Sequence, residues 1–462
     1  MDALAFVGQT IILLGAIFLG VRLGGLGIGY AGGLGVLVLG ITGLTTDFAA
    51  YIPWDVLGII MAVIGCIAAM QLAGGLDVLV HWAEVILRKQ PKYITVLGPI
   101  VTFLMTMFAG TGHTAFSTIP VITEVAKESN IRPVRPLTIS VVASQIAITA
   151  SPVSAAVIAF AALLENLKGS NPEAYSSNVG YVELLAVAIP SAFLGVLIIA
   201  VIMALTDRKP LDKDPEYQRR LAAGLVTMRG ATKYEHKAGA KLSVGIFGGA
   251  IGVVMVYAMA ISDKIGWIHG AADPDNPGSY LPVAIDRTSM IISVMLGAAT
   301  LIVILAKVKV AEVLNAPTFK SGMSAALCVL GVAWLGTVFV KGHEASITGF
   351  ADQALSVAPW LFAVVAYLAA ALLYSQAATT KVVMPLAIAL GMSPLSMVAS
   401  FAAVGGLYIL PTYPTTVAAA QMDDTGTTRF GKYIFNHPFI LPGTAACAAS
   451  VALGYAIGGF VL

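Results

Sequence analysis

The stretch Y-S-Q-A-A-T-T-K-V-V-M-P-L-A-I-A-L-G-M-S-P-L-S-M-V-A-S-F-A-A-V-G-G-L-Y-I-L-P-T-Y-P-T-T, residues 374–416, decides how the chain is read. Two polar clusters interrupt an otherwise apolar run. The first is Ser375, Gln376, Thr379, Thr380 and Lys381; the second is Pro411, Thr412, Tyr413, Pro414, Thr415 and Thr416. The apolar flank before Ser375, residues 360–373, is shorter than the roughly 20 residues a bilayer crossing needs, and so is the flank after Lys381, residues 382–390. Together they read as a hairpin, 360–391, that dips to mid-membrane and turns back at the polar cluster. Each proline of the second cluster removes a backbone donor and clashes with the preceding turn, so a helix over 394–420 is expected to break there. Irregular backbone at membrane depth is tolerated only where it is buried in protein or lines a cavity. Broken helices are the sequence pointer to a transporter binding site. On this stretch alone, a proline-kinked helix beside a loop misplaced by hydropathy is an open alternative.

Composition sets the class. Of 462 residues, 58% are hydrophobic and 11% are charged, and mean hydropathy is +0.89. A soluble domain carries about 25% charged residues, so the expected fold is an all-α polytopic membrane protein with lipid around it. The net charge of +2 gives no footprint for nucleic acid, and none is expected as a partner. Cys66, Cys328 and Cys447 lie in apolar segments without disulfide or metal-site spacing, so neither a metal nor a cofactor is expected. The start M-D-A-L-A-F lacks the basic region of a signal peptide, so the first apolar segment reads as an uncleaved membrane helix.

Working outward, the same order of features occurs earlier in the chain. Residues 94–109 form a short apolar segment ending in A-G-T-G-H-T at 109–114; a second short segment follows at 115–125, then the charged K-E-S-N-I-R-P-V-R-P. A long run over 137–164 is interrupted by T-A-S-P-V-S at 149–154. A hairpin over 94–126 and a broken helix over 137–164 are thus expected, with Pro152 in the part of Pro411 or Pro414. Further spans are read at 4–19, before Gly43, 54–74, 181–205, 242–261, 285–306, 323–340 and 439–461, with an amphipathic interfacial helix at 77–89. The glycine-rich run after Arg22 lacks the Gly-Lys-Ser/Thr ending of a phosphate loop. Residues 207–241 are highly charged and lack an apolar core, so they read as a linker between an N-terminal repeat, 1–206, and a C-terminal repeat, 242–462.

Basic residues concentrate at 88–92, 127–135, 207–241, 307–320 and 429–432. The positive-inside rule makes these cytoplasmic. Every loop agrees if the 94–126 hairpin enters from the cytoplasm, the 360–391 hairpin enters from outside, and both termini are periplasmic. The two halves then form inverted-topology repeats whose hairpin tips point at each other.

A helix N-terminus offers free N–H groups and roughly half a positive charge. Two tips and two breaks bring several such ends to one point, which suits carboxylates. The expected site takes Thr111, Gly112, His113 and Thr114 from the first tip and Ser151, Pro152 and Ser154 from the first break. It takes Ser375, Gln376, Thr379, Thr380 and Lys381 from the second tip, and Thr412 and Thr415 from the second break. Two facing sets suit a substrate with a carboxylate at each end. An ammonium at mid-membrane costs about 2.5–3.5 kcal/mol, which a bound dianion at Lys381 offsets. Snorkelling or pairing with an internal acid is the other reading of Lys381. His113 is either a donor or proton carrier, or a hydrogen-bonded structural histidine. The hydroxyls also have a structural reading, back-bonding within their own helices, and Ser, Thr and carbonyl oxygens can equally hold a sodium ion.

At these residues the chain resembles the anaerobic C4-dicarboxylate transporter (Dcu) family of bacteria over essentially its whole length. The matching motifs include R-L-G-G-L-G-I-G-Y-A-G-G-L-G-V-L-V-L at 22–39, A-G-G-L-D at 73–77, P-K-Y-I-T at 91–95 and F-A-G-T-G-H at 108–113. They continue with I-T-A-S-P-V-S-A-A-V at 148–157, L-L-Y-S-Q-A-A-T-T-K at 372–381, L-P-T-Y-P-T at 410–415 and Q-M-D-D-T-G-T-T-R at 421–429. The resemblance implies exchange or uptake of fumarate, succinate, malate and aspartate at the bacterial inner membrane. A more distant similarity to divalent-anion/sodium symporters implies an elevator motion and a homodimer. Lys381 and the T-Y-P-T-T form of the last broken segment are similar to A-type members, linked to aspartate and fumarate uptake. B-type antiporters carry an acid where Thr416 stands, and the sensor-kinase partnership linked to that acid is not expected here. A channel or proton pathway is the competing class. An intramembrane enzyme is disfavoured, because the chain has no His-Glu-x-x-His, no Gly-x-Ser-x-Gly and no paired membrane aspartates.

Overall fold

The computed structural model describes the chain apart from residues 1–2, 24–25, 45–46, 53, 166, 171–173, 176–177, 207–208, 228–236, 262–266, 272–282, 344–358, 374, 411–412 and 434. Among the described residues every regular element is a helix, and an isolated antiparallel bridge joins Ile131 to Pro210. The first half runs α1 (Ala3–Leu23), α2 (Gly27–Ile41), α3 (Trp54–Leu72), α4 (Gly75–Lys89), α5 (Ile94–Ala109), α6 (Ala115–Glu128), α7 (Val134–Ile146), α8 (Ala155–Leu164) and α9 (Tyr181–Thr206). A short linker helix α10 (Pro215–Ala222) precedes α11 (Ala240–Ala260), α12 (Arg287–Leu305) and α13 (Pro317–Gly342). The chain closes with α14 (Leu361–Leu373), α15 (Gln376–Ala389), α16 (Pro394–Ser400), α17 (Pro414–Met422) and α18 (Ile440–Val461). Two single turns, Leu167–Ser170 and Val310–Val313, complete the described helices.

Six helices are long and apolar enough to cross a membrane, rising to eight if each bent pair counts as one span, among the described residues. One bent pair is α3 with α4, which turns by 73°. The left-handed Gly74 (φ +87°) makes that corner, and α4 then lays Val78, Ala83 and Leu87 inward. The spans differ in what surrounds them. The continuous stretch from α7 to α8 is 83% buried in protein, against 33% for α11, 22% for α12 and 28% for α18. The last three therefore leave most of their apolar surface outward, for instance Val253, Leu301, Ile304 and Phe460. In water such a belt would aggregate, whereas hydrocarbon accepts it.

The buried apolar residues separate into a large central cluster and smaller outer ones. The central cluster takes in the α5–α6 and α14–α15 segments, both interrupted helices, and also α9 and α18. A second joins α3, α11 and α12, and a third joins α2 and α13. Close approach at the boundaries depends on glycine: a Cβ on Gly331 of α13 would collide with the carbonyl oxygen of Gly29 on α2, and one on Gly454 of α18 would stand 2.8 Å from the Ala399 Cα. In lipid, where apolar burial gives helices little reason to associate, such approach is what makes a packed interface.

The linker is better anchored than its composition suggests. Buried Lys127, near the end of α6, bonds Glu124 at 2.7 Å, the Thr227 carbonyl at 2.7 Å and Asp424 at 3.0 and 3.1 Å. Asp424 also accepts from the Thr227 N–H at 3.0 Å. Arg132 pairs with Asp214 at 3.0 Å, and Asn130 accepts from the Asp212 N–H at 2.8 Å. The linker thus grips the foot of α6 and the turn after α17 together.

Gly331→Ala should lower the melting temperature of the detergent-purified protein by several degrees, reflecting an overpacking cost of about 1–3 kcal/mol. Gly65→Ala, where nothing lies within 4 Å of the new methyl, should not lower it; equal effects would refute the glycine-contact account of the α2–α13 interface.

Candidate functional site

The first hairpin is closed by threonine pairs. The Thr102 hydroxyl donates to Thr118 at 3.0 Å, and the Thr106 and Thr114 hydroxyls meet at 2.6 Å, so the legs α5 and α6 are zipped from inside. Gly110 (φ +68°) ends α5. A Cβ there would stand 3.1 Å from Val153, which seats the tip against the first break. That break runs from the tight turn Ala147–Ala150 to Ser154. The Ser154 hydroxyl accepts from Val157 N–H at 3.2 Å, capping α8, and donates to the Ile148 carbonyl at 2.7 Å. The Tyr181 hydroxyl donates to the Pro152 carbonyl. Ser151, Pro152 and Ser154 are buried.

In the second half, Ser375 is the N-cap of α15, its hydroxyl accepting from Ala378 N–H at 3.2 Å. α16 continues as tight helical turns, Phe401–Ile409, broken by a kink at Gly406 (φ −68°, ψ +24°). Gly405 and Gly406 explain the tightening. A Cβ on Gly405 would stand 3.2 Å from the Gln145 carbonyl, and one on Gly406 would stand 2.6 Å from the Tyr367 ring. α17 then starts at Pro414, whose missing N–H costs nothing at a first helical position. Thr412 and the side chain of His113 lie outside the described residues.

A residue that the sequence reading did not single out joins these parts. Gln145, fully buried in the last turn of α7, donates from Nε2 to Thr415 Oγ1 at 3.2 Å and to Ser144 Oγ at 2.8 Å. Its Oε1 accepts from Gln376 Nε2 at 3.0 Å. A Cβ on Gly112 would stand 2.9 Å from the same Nε2. One side chain therefore connects the first tip, the second tip and the second break. The signal for it was present: a lone amide in a long apolar run.

The hydroxyls do less than their number suggested. Thr379 and Thr380 donate to the Ser375 and Gln376 carbonyls, and Thr416 donates to the Tyr413 carbonyl, each at 2.7 Å. Their protons serve their own helices. What remains directed at the centre is the first turns of α8, α15 and α17, with amide groups that precede the first intrahelical bond. Lys381 stands half-buried in the second turn of α15. Among the described residues no three His, Cys, Asp or Glu are grouped to hold a metal. Helix N-terminal amides of this kind can receive anionic oxygen.

Gln145→Leu leaves the Gln376 amide and the Thr415 hydroxyl without their partner, so purified protein should lose about 1–3 kcal/mol of stability. A thermal unfolding curve matching wild type would show that this amide does not hold the tips together.

Three comparisons bear on the chain's relatives. A family model described as anaerobic C4-dicarboxylate membrane transporter matches residues 5–462. The C4-dicarboxylate transporter DcuA of Wolinella succinogenes is 54% identical over 456 residues, 99% of this chain and all of that protein. DcuA of Escherichia coli K12 is 50% identical over 457 residues, again 99% of this chain and all of that protein. The anaerobic C4-dicarboxylate transporter DcuB of Escherichia coli O6:H1 is 36% identical, covering 97% of this chain and 98% of its own length. In fold, the chain is similar to the Alcanivorax borkumensis YdaH transporter, with a TM-score of 0.56 at 17% identity over 99% of this chain and 98% of that one. Neisseria gonorrhoeae MtrF gives the same TM-score at 14% identity, over 91% and 84%. With the whole chain matched and DcuA proteins much nearer in sequence than DcuB, this multi-pass membrane protein belongs to the anaerobic C4-dicarboxylate (Dcu) transporter family, on its A-type side, and is a transporter rather than an enzyme.

Proposed function

We propose that the chain is a secondary transporter carrying C4-dicarboxylates — fumarate, succinate, malate and aspartate — across the bacterial inner membrane by exchange or proton-coupled uptake. The observation that carries this reading is the Gln145 bridge, which ties Gln376 and Thr415 from the second half to a residue abutting Gly112 in the first. Two facing tips and two breaks give a dianion amide ends at both of its carboxylates. Thr111, Gly112, Ser151, Ser154, Gln376, Lys381 and Thr415 surround it in this proposal, with His113 and Thr412 completing the set.

Residues 1–206 and 242–462 act as inverted-topology repeats, each with a re-entrant hairpin and a broken helix, and both termini are periplasmic. Alternating access follows an elevator path. The hairpins and broken helices move as a unit against a scaffold built largely from the remaining spans, with α9 and α18 packed against the moving part. The protein works as a homodimer. The open glycine face of α11, with Gly245, Gly248, Gly249 and Gly252 free of neighbours within 4 Å, supports a second copy there. A sensor-kinase partner has no support from this site. Sodium-coupled symport is the alternative coupling, and a channel is the alternative class.

Proteoliposomes loaded with unlabelled fumarate should take up labelled succinate or aspartate with saturable counterflow. Conduction without saturation or exchange would favour the channel, and loss of uptake without sodium would favour symport. Lys381→Ala should raise the half-saturation concentration roughly tenfold, as loss of one charge-assisted contact implies; an unchanged value would assign Lys381 to structure alone.

A further inference from the structure

A cavity of about 370 Å³ lies where the linker meets the second half. Its walls come from α17 (Val417, Gln421), from the following loop (Thr428, Arg429, Phe430) and from Arg220 on α10. The volume is within the range of small-molecule sites. Three features of its wall point to an anionic occupant.

The first is charge. Arg220 pairs with Glu216 at 2.9 Å, Arg219 pairs with the same carboxylate at 2.7 Å, and Arg429 comes only to 3.8 Å of it. Hydrogen bonds from Arg219 and then Arg220 hold the Glu216 carboxyl down at about 2, so it stays anionic at neutral pH. With the Asp423 carboxylate behind Thr428 counted, two carboxylates against three guanidinium groups leave an excess of positive charge beside the cavity. The second is an orphaned polar atom. Thr428 is 1% exposed, and its hydroxyl has no hydrogen-bond partner, although its N–H donates to Asp423 at 2.7 Å. The third is how the wall is built. Gly426 (φ +72°) has no side chain where Arg220 lies, and a Cβ there would collide with the Arg220 guanidinium, so the loop is shaped around that cation.

The cavity and the central site share one helix. Val417 is two residues beyond Thr415, about 3 Å along the helix axis, and the cavity continues outward along α17 to Gln421. Its inner end is thus less than one turn from the residue that bonds Gln145.

We propose that this cavity is a second anion subsite, an entry station that takes a small dicarboxylate between Arg220 and Arg429 before it passes along α17. The proposal rests on the transport reading above, in which the linker face is cytoplasmic. One carboxylate meets the Arg429 fork, whose pair with Glu216 is long at 3.8 Å, and the Thr428 hydroxyl donates to it. Arg220 faces the other end, and Val417 and Phe430 flank the carbon chain. Planar guanidinium suits carboxylate geometry better than ammonium does.

Sided transport tests this. Succinate counterflow is measured in inside-out and right-side-out vesicles of cells producing the protein. Arg429→Gln should raise the half-saturation concentration roughly tenfold from the linker face, while the value from the opposite face stays at wild type. Thr428→Val should raise it less, and Lys432→Gln, on the same loop but outside the cavity wall, should leave both faces unchanged. Titration of succinate into purified wild-type protein, in zwitterionic lipid so that no anionic headgroup competes, should show a second, weaker binding event that Arg429→Gln lacks. An unchanged linker-face value, an equal rise from both faces, or a wild type with a single binding event overturns the subsite while leaving transport intact. Absence of wild-type counterflow from either face sinks the transport reading itself, and this subsite with it.

Discussion

The demand that every polar group inside an apolar layer find a partner within the protein shapes this molecule at each level. Hydrocarbon offers no hydrogen bonds, and an unmatched amide there costs several kcal/mol. Helices solve the problem for the backbone except at their ends. The chain places those ends at Ser154, which is buried, Ser375, which is half-buried, and Pro414. Serine caps answer part of the deficit, threonine hydroxyls turn back on their own carbonyls, and Gln145 and Gln376 answer each other. What is left over is a small set of first-turn amides, the groups on which the proposed site for carboxylates rests.

Much of this was legible in the sequence because it is written locally. The turn at Gly110, the cap at Ser375 and the interruption at Ser151-Pro152 each announce themselves within a few residues, and the structure has helix ends at all of them. Pro120 and Pro385, one after each tip, lie within α6 and α15. The hydroxyl residues are at the tips and breaks as expected, yet Thr379 and Thr380 bond inward, the alternative that residue type alone left open.

What was not legible depends on pairing across long separations. Lys127 and Asp424 are 297 residues apart, and neither charge carries a local mark of the other. The aspartate pair after α17 stands in a short polar stretch whose type suggests only a turn. Asp423 does make that turn, accepting from Thr427 Oγ1 and Thr428 N–H, but Asp424 reaches across to the other half. In the same way, the linker read as a bare connector because its anchors, Asp214 to Arg132 and Thr227 to Asp424, belong to partners outside it. Assignment of α9 and α18 to the central cluster is likewise a matter of tertiary packing, which apolar periodicity does not encode.

The amide bridge at the centre also constrains how the protein is made. Gln145 leaves the ribosome 231 residues ahead of Gln376, the group that accepts its attention in the finished molecule. Through that interval its carboxamide has Ser144 as a near neighbour and otherwise needs water or a chaperoning protein. Thr149 and Thr380 have no such wait, since each closes on a carbonyl three or four residues back as soon as its turn is wound. The bonds of Gln145 to Gln376 and Thr415 therefore form only when the second half arrives.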